Sequence, residues 1–154
     1  MLEFVPPSHD DAHTQAAARL GAAGARYSAK RRALVDVFVA AKRPLTLPEV
    51  IAAHSTLAQS SVYRNLGVLE AAGVVHRIVT ADDHARFELA EAVSGKHHHH
   101  LICTDCGSIE DFTLPANLES TVSRELAGVA NEHGFSAVAH QMDLVGHCAT
   151  CRAK

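Results

Sequence analysis

Four cysteines stand in two pairs, Cys103-Thr-Asp-Cys106 and Cys148-Ala-Thr-Cys151. Each pair sets two thiolates within reach of one ion, and together they predict a closed tetrahedral Zn2+ site that is structural rather than catalytic. Gly107 allows the tight turn whose amides support the sulfurs, and the second pair would tie the C-terminal end back to the first knuckle. In a reducing compartment this pattern favours metal over disulfides or idle thiols.

The second constellation is His97-His98-His99-His100. The run is internal and leads directly into a strand and a CxxC pair, which sets it apart from a purification tag. If it is extended, alternate side chains point to opposite faces, so His97/His99 and His98/His100 form two pairs and one strand can serve two ions. Each pair needs further ligands, and the candidates are His76, Glu88, Asp111, Glu119 and His140. His140 lies on an apolar strand pattern, where a lone histidine is first read as a satisfied core residue. His76 could equally touch phosphate. His9, His13, His54 and His84 are read as surface residues, and nothing beyond their type speaks for His133 or His147.

These residues need elements to carry them. The alanine-rich stretch from Thr14 to Ala23 favours helix, and Ser28 can cap a second helix with Leu34, Val35 and Phe38 inward. Thr46 and Glu49 have the spacing of a capping box before a third helix that ends near His54. A fourth, capped by Ser60 or Ser61 and ended by Gly73, places Val62, Leu66 and Leu69 on a core stripe and leaves Ser61, Tyr63, Arg64 and Gly67 outside. Two β-rich runs, 74–79 and 86–89, flank the turn Ala81-Asp82-Asp83 and read as a hairpin. This is the outline of a winged helix, whose reading helix would enter the major groove while Arg77 or Arg86 on the wing touches backbone.

The expected fold class is α+β. Residues 1–14 are read as a flexible arm, 15–90 as the winged-helix DNA-binding domain, 91–96 as a hinge and 97–154 as a small α/β dimerisation and metal-binding domain. In the last, strands are expected at 101–103, 109–112 and 135–145, the third with Val138, His140, Met142 and Leu144 on one face. Pro115 opens a helix with Leu118, Val122, Leu126 and Val129 on one side. So few elements expose too much apolar surface for a monomer, which predicts a homodimer.

The formal net charge of −3 hides an asymmetry: residues 1–90 carry 10 Lys/Arg against 9 Asp/Glu, and residues 91–154 carry 4 against 8. Arg19, Arg26, Lys30, Arg31, Arg32, Lys42 and Arg43 lie close together with only Asp36 opposing them, a local field attractive to phosphate. Arg26, Arg31, Ser61, Tyr63 and Arg64 are the candidate contacts to double-stranded DNA. No apolar run is long enough to span a bilayer, and the N-terminal residues lack the basic start and apolar core of an export signal, so a cytoplasmic protein without a membrane partner is expected. A zinc hydrolase is the rival from another class, but no pocket or general base can be singled out and the Tyr63-Arg64 helix would be unexplained. A zinc-buffering protein is the third reading.

In combination and order these motifs resemble the ferric uptake regulator family, from about Gly24 to Cys151. The stretches that carry the resemblance are Arg26-Tyr-Ser-Ala-Lys-Arg31, Ser61-Val-Tyr-Arg-Asn-Leu66, Arg86-Phe-Glu-Leu89, the histidine run with Leu101-Ile-Cys-Thr-Asp-Cys-Gly107, Glu132-His-Gly134, His140 and Gly146-His-Cys-Ala-Thr-Cys151. The resemblance implies a metal-dependent repressor that binds a palindromic operator as a dimer. It implies structural zinc on the four cysteines, a regulatory centre of His76, Glu88, His98 and His100 at the domain junction, and a second centre of His97, His99, Glu119 and His140. Iron, manganese and peroxide sensors of the family place a histidine just before the third helix, where this chain has Arg43-Pro44-Leu45. Zinc sensors lack it and often take a ligand from the first wing strand, here Gly73-Val-Val-His76. That favours regulatory Zn2+ over Fe2+ or Mn2+. Against it, many zinc sensors carry a cysteine where this chain has Ala90, and Glu88 stands in the iron-type position; an iron- or peroxide-sensing regulator is the alternative.

Overall fold

A computed structural model describes residues 9–80, 84–136 and 139–153. The first eight residues of the expected arm, the turn Ala81-Asp82-Asp83 and Val138 lie outside these. Helix α1 (His9–Ala22) starts inside the segment read as an arm, and its Ala12, Ala16 and Leu20 recur at helical spacing and are fully buried. Helix α2 (Ala29–Ala41) is capped by Ser28, whose hydroxyl accepts the Arg31 N–H at 3.4 Å, and closes on Lys42 in the left-handed region at φ 52°. Leu34, Val35 and Phe38 face inward.

Strand β1 (Leu45–Thr46) leads into α3 (Leu47–Ala53) through the capping box: the Thr46 N–H donates to Glu49 Oε2 at 2.7 Å and the Glu49 N–H to Thr46 Oγ1 at 3.4 Å. Helix α4 (Gln59–Ala71) corrects the expected cap. Its N-cap is Ala58, with no side-chain cap, and Ser60 and Ser61 already lie within the helix. Gly73 ends it at φ +66°, a conformation that favours glycine.

Strands β2 (Val75–Ile78) and β3 (Arg86–Leu89) make the wing, and the sheet order is β1-β3-β2, antiparallel throughout. His76 and Glu88 are cross-strand partners, so their side chains share one face. The stretch read as a hinge is largely helical: α5 (Glu91–Ser94) buries Val93 at 1% exposure in the same core as Leu20, Leu34, Val50, Leu69 and Val74. The first lobe thus reaches to within a few residues of the histidine run.

The second lobe holds β4 (His99–Cys103), β5 (Ile109–Phe112) and β6 (Asp143–Gly146) in the order β5-β4-β6, with β4 antiparallel to β5 and parallel to β6. The strand expected over 135–145 is therefore shorter and later, and His140 and Met142 precede it. Helix α6 (Ala116–Glu132) has no buried residue, and Leu118, Leu126 and Val129 are 42–52% exposed along the expected stripe. A short α7 (Ala149–Arg152) carries the last cysteine. No described helix is long and apolar enough to cross a membrane.

Candidate metal centres

The tight turn after β4 and the start of α7 bring the four cysteines together. One sulfur each from Cys103, Cys106, Cys148 and Cys151 lies within 4.8 Å of the others, and none is in a disulfide. Cys106 Sγ and Cys148 Sγ are 3.8 Å apart. Zn–S bonds of about 2.3 Å in a tetrahedron put sulfurs about 3.8 Å apart, so the set fits a zinc ion. The electrostatics fit as well. Backbone N–H groups of the Cys106 turn and of Cys148, the latter 3.4 Å from Cys103 Sγ, pull the Cys103 thiol down to about 6, and the Ser108 hydroxyl lowers Cys106. Contacts with Cys148 and Cys106 push Cys151 up to about 12, as expected where neighbouring sulfurs disfavour a further negative charge. Gly107, at φ +65°, donates its N–H to the Cys103 carbonyl and closes the turn.

The second cluster joins the lobes. Glu88 of β3 is buried and accepts from His100 Nε2 at 3.1 Å on one carboxylate oxygen and from His98 Nε2 at 3.3 Å on the other. Asp111, the cross-strand partner of His100, completes a set of four donors within 4.8 Å. Burial pushes the Glu88 carboxyl up, but the hydrogen bonds from His100 and His98 outweigh it and hold it at about 2. The hydrogen bond to Glu88 raises His98 to about 9; His100 also rises, because Glu88 and Asp143 outweigh its burial. His76 is not among the four donors. It lines the same small cavity as Glu88, His98 and His100, but its Nε2 accepts from the Gln141 side-chain amide at 3.1 Å.

The third cluster is His97, His99, Glu119 and His140. Glu119, in the first turn of α6, receives His97 Nε2 at 3.1 Å and His99 Nε2 at 3.0 Å. His140 Nε2 lies 2.9 Å from Glu119 Oε1, close enough for an ion pair but not aligned as a hydrogen bond, and it is buried without another partner. Such an orphaned nitrogen, aimed at a carboxylate beside two more imidazoles, is a donor suited to a metal ion. The hydrogen bond from His99 holds Glu119 below the usual carboxylate range.

Around the clusters lie residues that the sequence reading missed. His100 Nδ1 donates to Asp143 Oδ1 at 3.1 Å, and His97 Nδ1 to Glu91 Oε2 at 2.9 Å, so each ring is oriented from behind. Asp143 could have been found only through the parallel β4–β6 pairing, and Glu91 sits in the stretch taken for a hinge. His13, read as a surface residue, is 4% exposed: its Nδ1 meets the Tyr27 hydroxyl and its Nε2 donates to Asp36 Oδ1 at 2.8 Å.

In the first lobe, α4 presents Tyr63, 53% exposed, and Arg64 to solvent, with Ser61 half-buried. Arg26 is exposed, and its carbonyl accepts from Arg31 NH1. Asn65, which carried no reading from the sequence, is buried: it accepts from Arg31 Nε at 3.1 Å and donates to the Ser61 carbonyl at 2.8 Å, linking α2 to α4. Arg77 is exposed, whereas Arg86 donates to Thr80 Oγ1 and the His84 carbonyl within the wing.

Fold and site together define a class: a helical lobe with a small wing, joined by a metal-ready seam to an α/β lobe carrying a cysteine knuckle. Residues 22–145 match the model of the Ferric uptake regulator family, and the chain belongs to that family. It is 36% identical over 95 residues to the ferric uptake regulation protein of Cupriavidus metallidurans, a stretch covering 62% of this chain and 61% of that protein, so the chain spans about three fifths of that relative. It is 28% identical over 141 residues, 89% of each chain, to the peroxide-responsive repressor PerR of Staphylococcus aureus. The fold matches that of the ferric uptake regulator Fur of Helicobacter pylori with a TM-score of 0.69 at 22% identity, over 95% of each chain.

Proposed function

We propose that this chain is a metal-dependent transcriptional repressor that binds palindromic operator DNA as a homodimer when its regulatory centre is loaded. The observation that carries this reading is the Glu88 cluster: one donor comes from the wing strand of the first lobe and three from β4, the residue before it and β5 of the second. An ion held there ties the angle between the lobes to metal occupancy. In a dimer the two recognition helices would then sit one DNA turn, about 34 Å, apart. Arg26, Arg31, Ser61, Tyr63 and Arg64 are the DNA contacts, and the exposed stripe of α6 with β6 is the surface that pairs the copies. A cytoplasmic repressor without catalytic activity follows.

Cys103, Cys106, Cys148 and Cys151 hold structural zinc. The regulatory ion takes Glu88, His98 and His100, with His76 or Asp111 as the fourth ligand, and a second ion takes His97, His99, Glu119 and His140. The metal supplies positive charge and fixed coordination; the chain's own part is to orient the rings through Asp143 and Glu91 and to surrender protons as the ion binds. Regulatory zinc is the reading favoured by His76 and by Arg43 before α3. Iron or manganese, and with iron a peroxide response, is the second reading, favoured by Asp111: a set of two carboxylates and two imidazoles is harder than a typical zinc-sensing set. The names of the relatives point the same way.

Operator binding with and without metal, measured for the His98→Ala, His100→Ala double variant, tests the mechanism. Metal-dependent binding should be lost, and metal-dependent binding that persists unchanged would sink it. Anaerobic competition among zinc, iron and manganese, followed by metal analysis, decides the ion.

A further inference from the structure

Asn65 is the only polar side chain buried in α4, and it belongs to none of the metal clusters. A polar group is stable in such a place only where its hydrogen bonds are met, and here the partners are two residues assigned above to DNA. Asn65 Oδ1 accepts from Arg31 Nε at 3.1 Å, while Nδ2 donates to the Ser61 carbonyl at 2.8 Å and to Ser61 Oγ at 3.3 Å. The partners force this orientation of the amide, because a guanidinium offers no acceptor and a carbonyl no donor.

The same contacts decide what the two partners have left to give. Since Ser61 Oγ accepts from Nδ2, its own proton turns away from Asn65 and is available to an outside acceptor. Arg31 is held at Nε by Asn65 and at NH1 by the Arg26 carbonyl, which fixes the guanidinium plane; its NH2 has no partner among the described residues. One amide thus sets two donors side by side, a cationic one from α2 and a neutral one from α4. That pairing suits the oxygens of a single phosphodiester. We infer that Asn65 is a positioning residue for DNA backbone recognition, presenting the Arg31 guanidinium and the Ser61 hydroxyl as a clamp on one phosphate. This inference rests on the proposed reading of α4 as the helix that meets DNA.

The test is a fluorescence-anisotropy titration of the zinc-loaded full-length protein, at a series of salt concentrations, against a duplex that the wild-type protein selects from a random-sequence pool. Arg31→Ala and Asn65→Leu should each weaken binding about tenfold and lower the salt slope by about one phosphate contact. The Asn65→Leu, Arg31→Ala double variant should bind within about threefold of Arg31→Ala, because a holder matters little once the held group is gone. A role confined to packing would leave the salt slope intact and multiply with Arg31→Ala. Where Asn65→Leu lowers the thermal midpoint, Arg31→Ala and Ser61→Ala probe the clamp with the amide in place: on one phosphate their combined loss should be smaller than the product of the two. Full affinity in Asn65→Leu, an unchanged salt slope, or losses that multiply would overturn the inference. A wild-type protein that selects no duplex overturns the repressor reading and the clamp with it, whereas a duplex bound equally with and without zinc overturns the metal dependence alone.

Discussion

The two lobes solve the stability problem in opposite ways. In the first, fifteen buried apolar residues from α1 through α5 form one continuous cluster, and Leu20, Leu34, Val35, Val50, Val62, Leu69 and Val74 are excluded from water entirely. In the second, α6 buries nothing, and Leu118, Leu126, Val129, Phe135, Leu144 and Val145 are all 42% exposed or more. Its buried polar groups are instead His99 and His100, its sulfurs crowd, and its carboxylates draw in imidazoles. A lobe too small to close a core can be held by a metal and by a second copy, and under the proposed function both dependences would make it responsive where the first lobe is not.

The largest expected effect breaks this contrast at the cysteines. Structural zinc sites supply about 10–16 kcal/mol in small domains. A Cys103→Ser, Cys106→Ser variant, or strong chelation, should therefore erase the second lobe's transition by circular dichroism and hydrogen exchange while α2 to α4 stay protected. Next comes the first lobe's core: Leu34→Ala should cost about 2–5 kcal/mol in denaturant unfolding, equally with and without zinc, because the site is sealed and metal-free.

The seam between the lobes gives a pH signature. His98 is raised from 6.5 to about 9 by Glu88, so its contribution to the metal-free protein is complete below 6.5 and disappears as pH rises through 9. Glu88 is lowered from 4.5 to about 2, so its contribution is present above 4.5 and is lost as pH falls towards 2. The thermal midpoint of protein lacking metal at this seam should thus fall between pH 6.5 and 9, and the His98→Ala variant should flatten that fall. Metal binding has the opposite sign, since protons compete for the same nitrogens, and should weaken as pH falls towards 6. The smallest effect sharpens the contrast on the first lobe's surface: Ser28→Ala removes an N-cap and should cost about 1 kcal/mol, again without regard to metal, by chemical denaturation.

Local signals were legible in the sequence and long-range ones were not. The Thr46–Glu49 capping box, the Ser28 cap and the Gly73 stop each depend on a few neighbouring residues, and each is present. The clusters could be foreseen because alternation along β4 splits the histidines by face whatever the rest of the fold does. By contrast α4 begins before the serines: the Ser61 and Val62 N–H groups both go to the Ala58 carbonyl, so no side-chain cap is needed. The alternation over 135–145 suggested a long strand, yet a strand exists only where it finds a partner, and among the described residues of that stretch those paired with β4 begin at Asp143. His13 was misjudged for the same reason: its burial comes with α1 packing against α2 and α5, which no local pattern records.

The central claim is that metal at the Glu88 seam and DNA on the exposed face of α4 are coupled. Calorimetric titration of the regulatory metal into the protein, alone and saturated with operator duplex, tests it most directly. The duplex should tighten metal binding by the same factor, roughly 5- to 150-fold, by which metal tightens duplex binding, and Glu88→Ala should abolish both gains. A metal affinity that is identical with and without the duplex would contradict it.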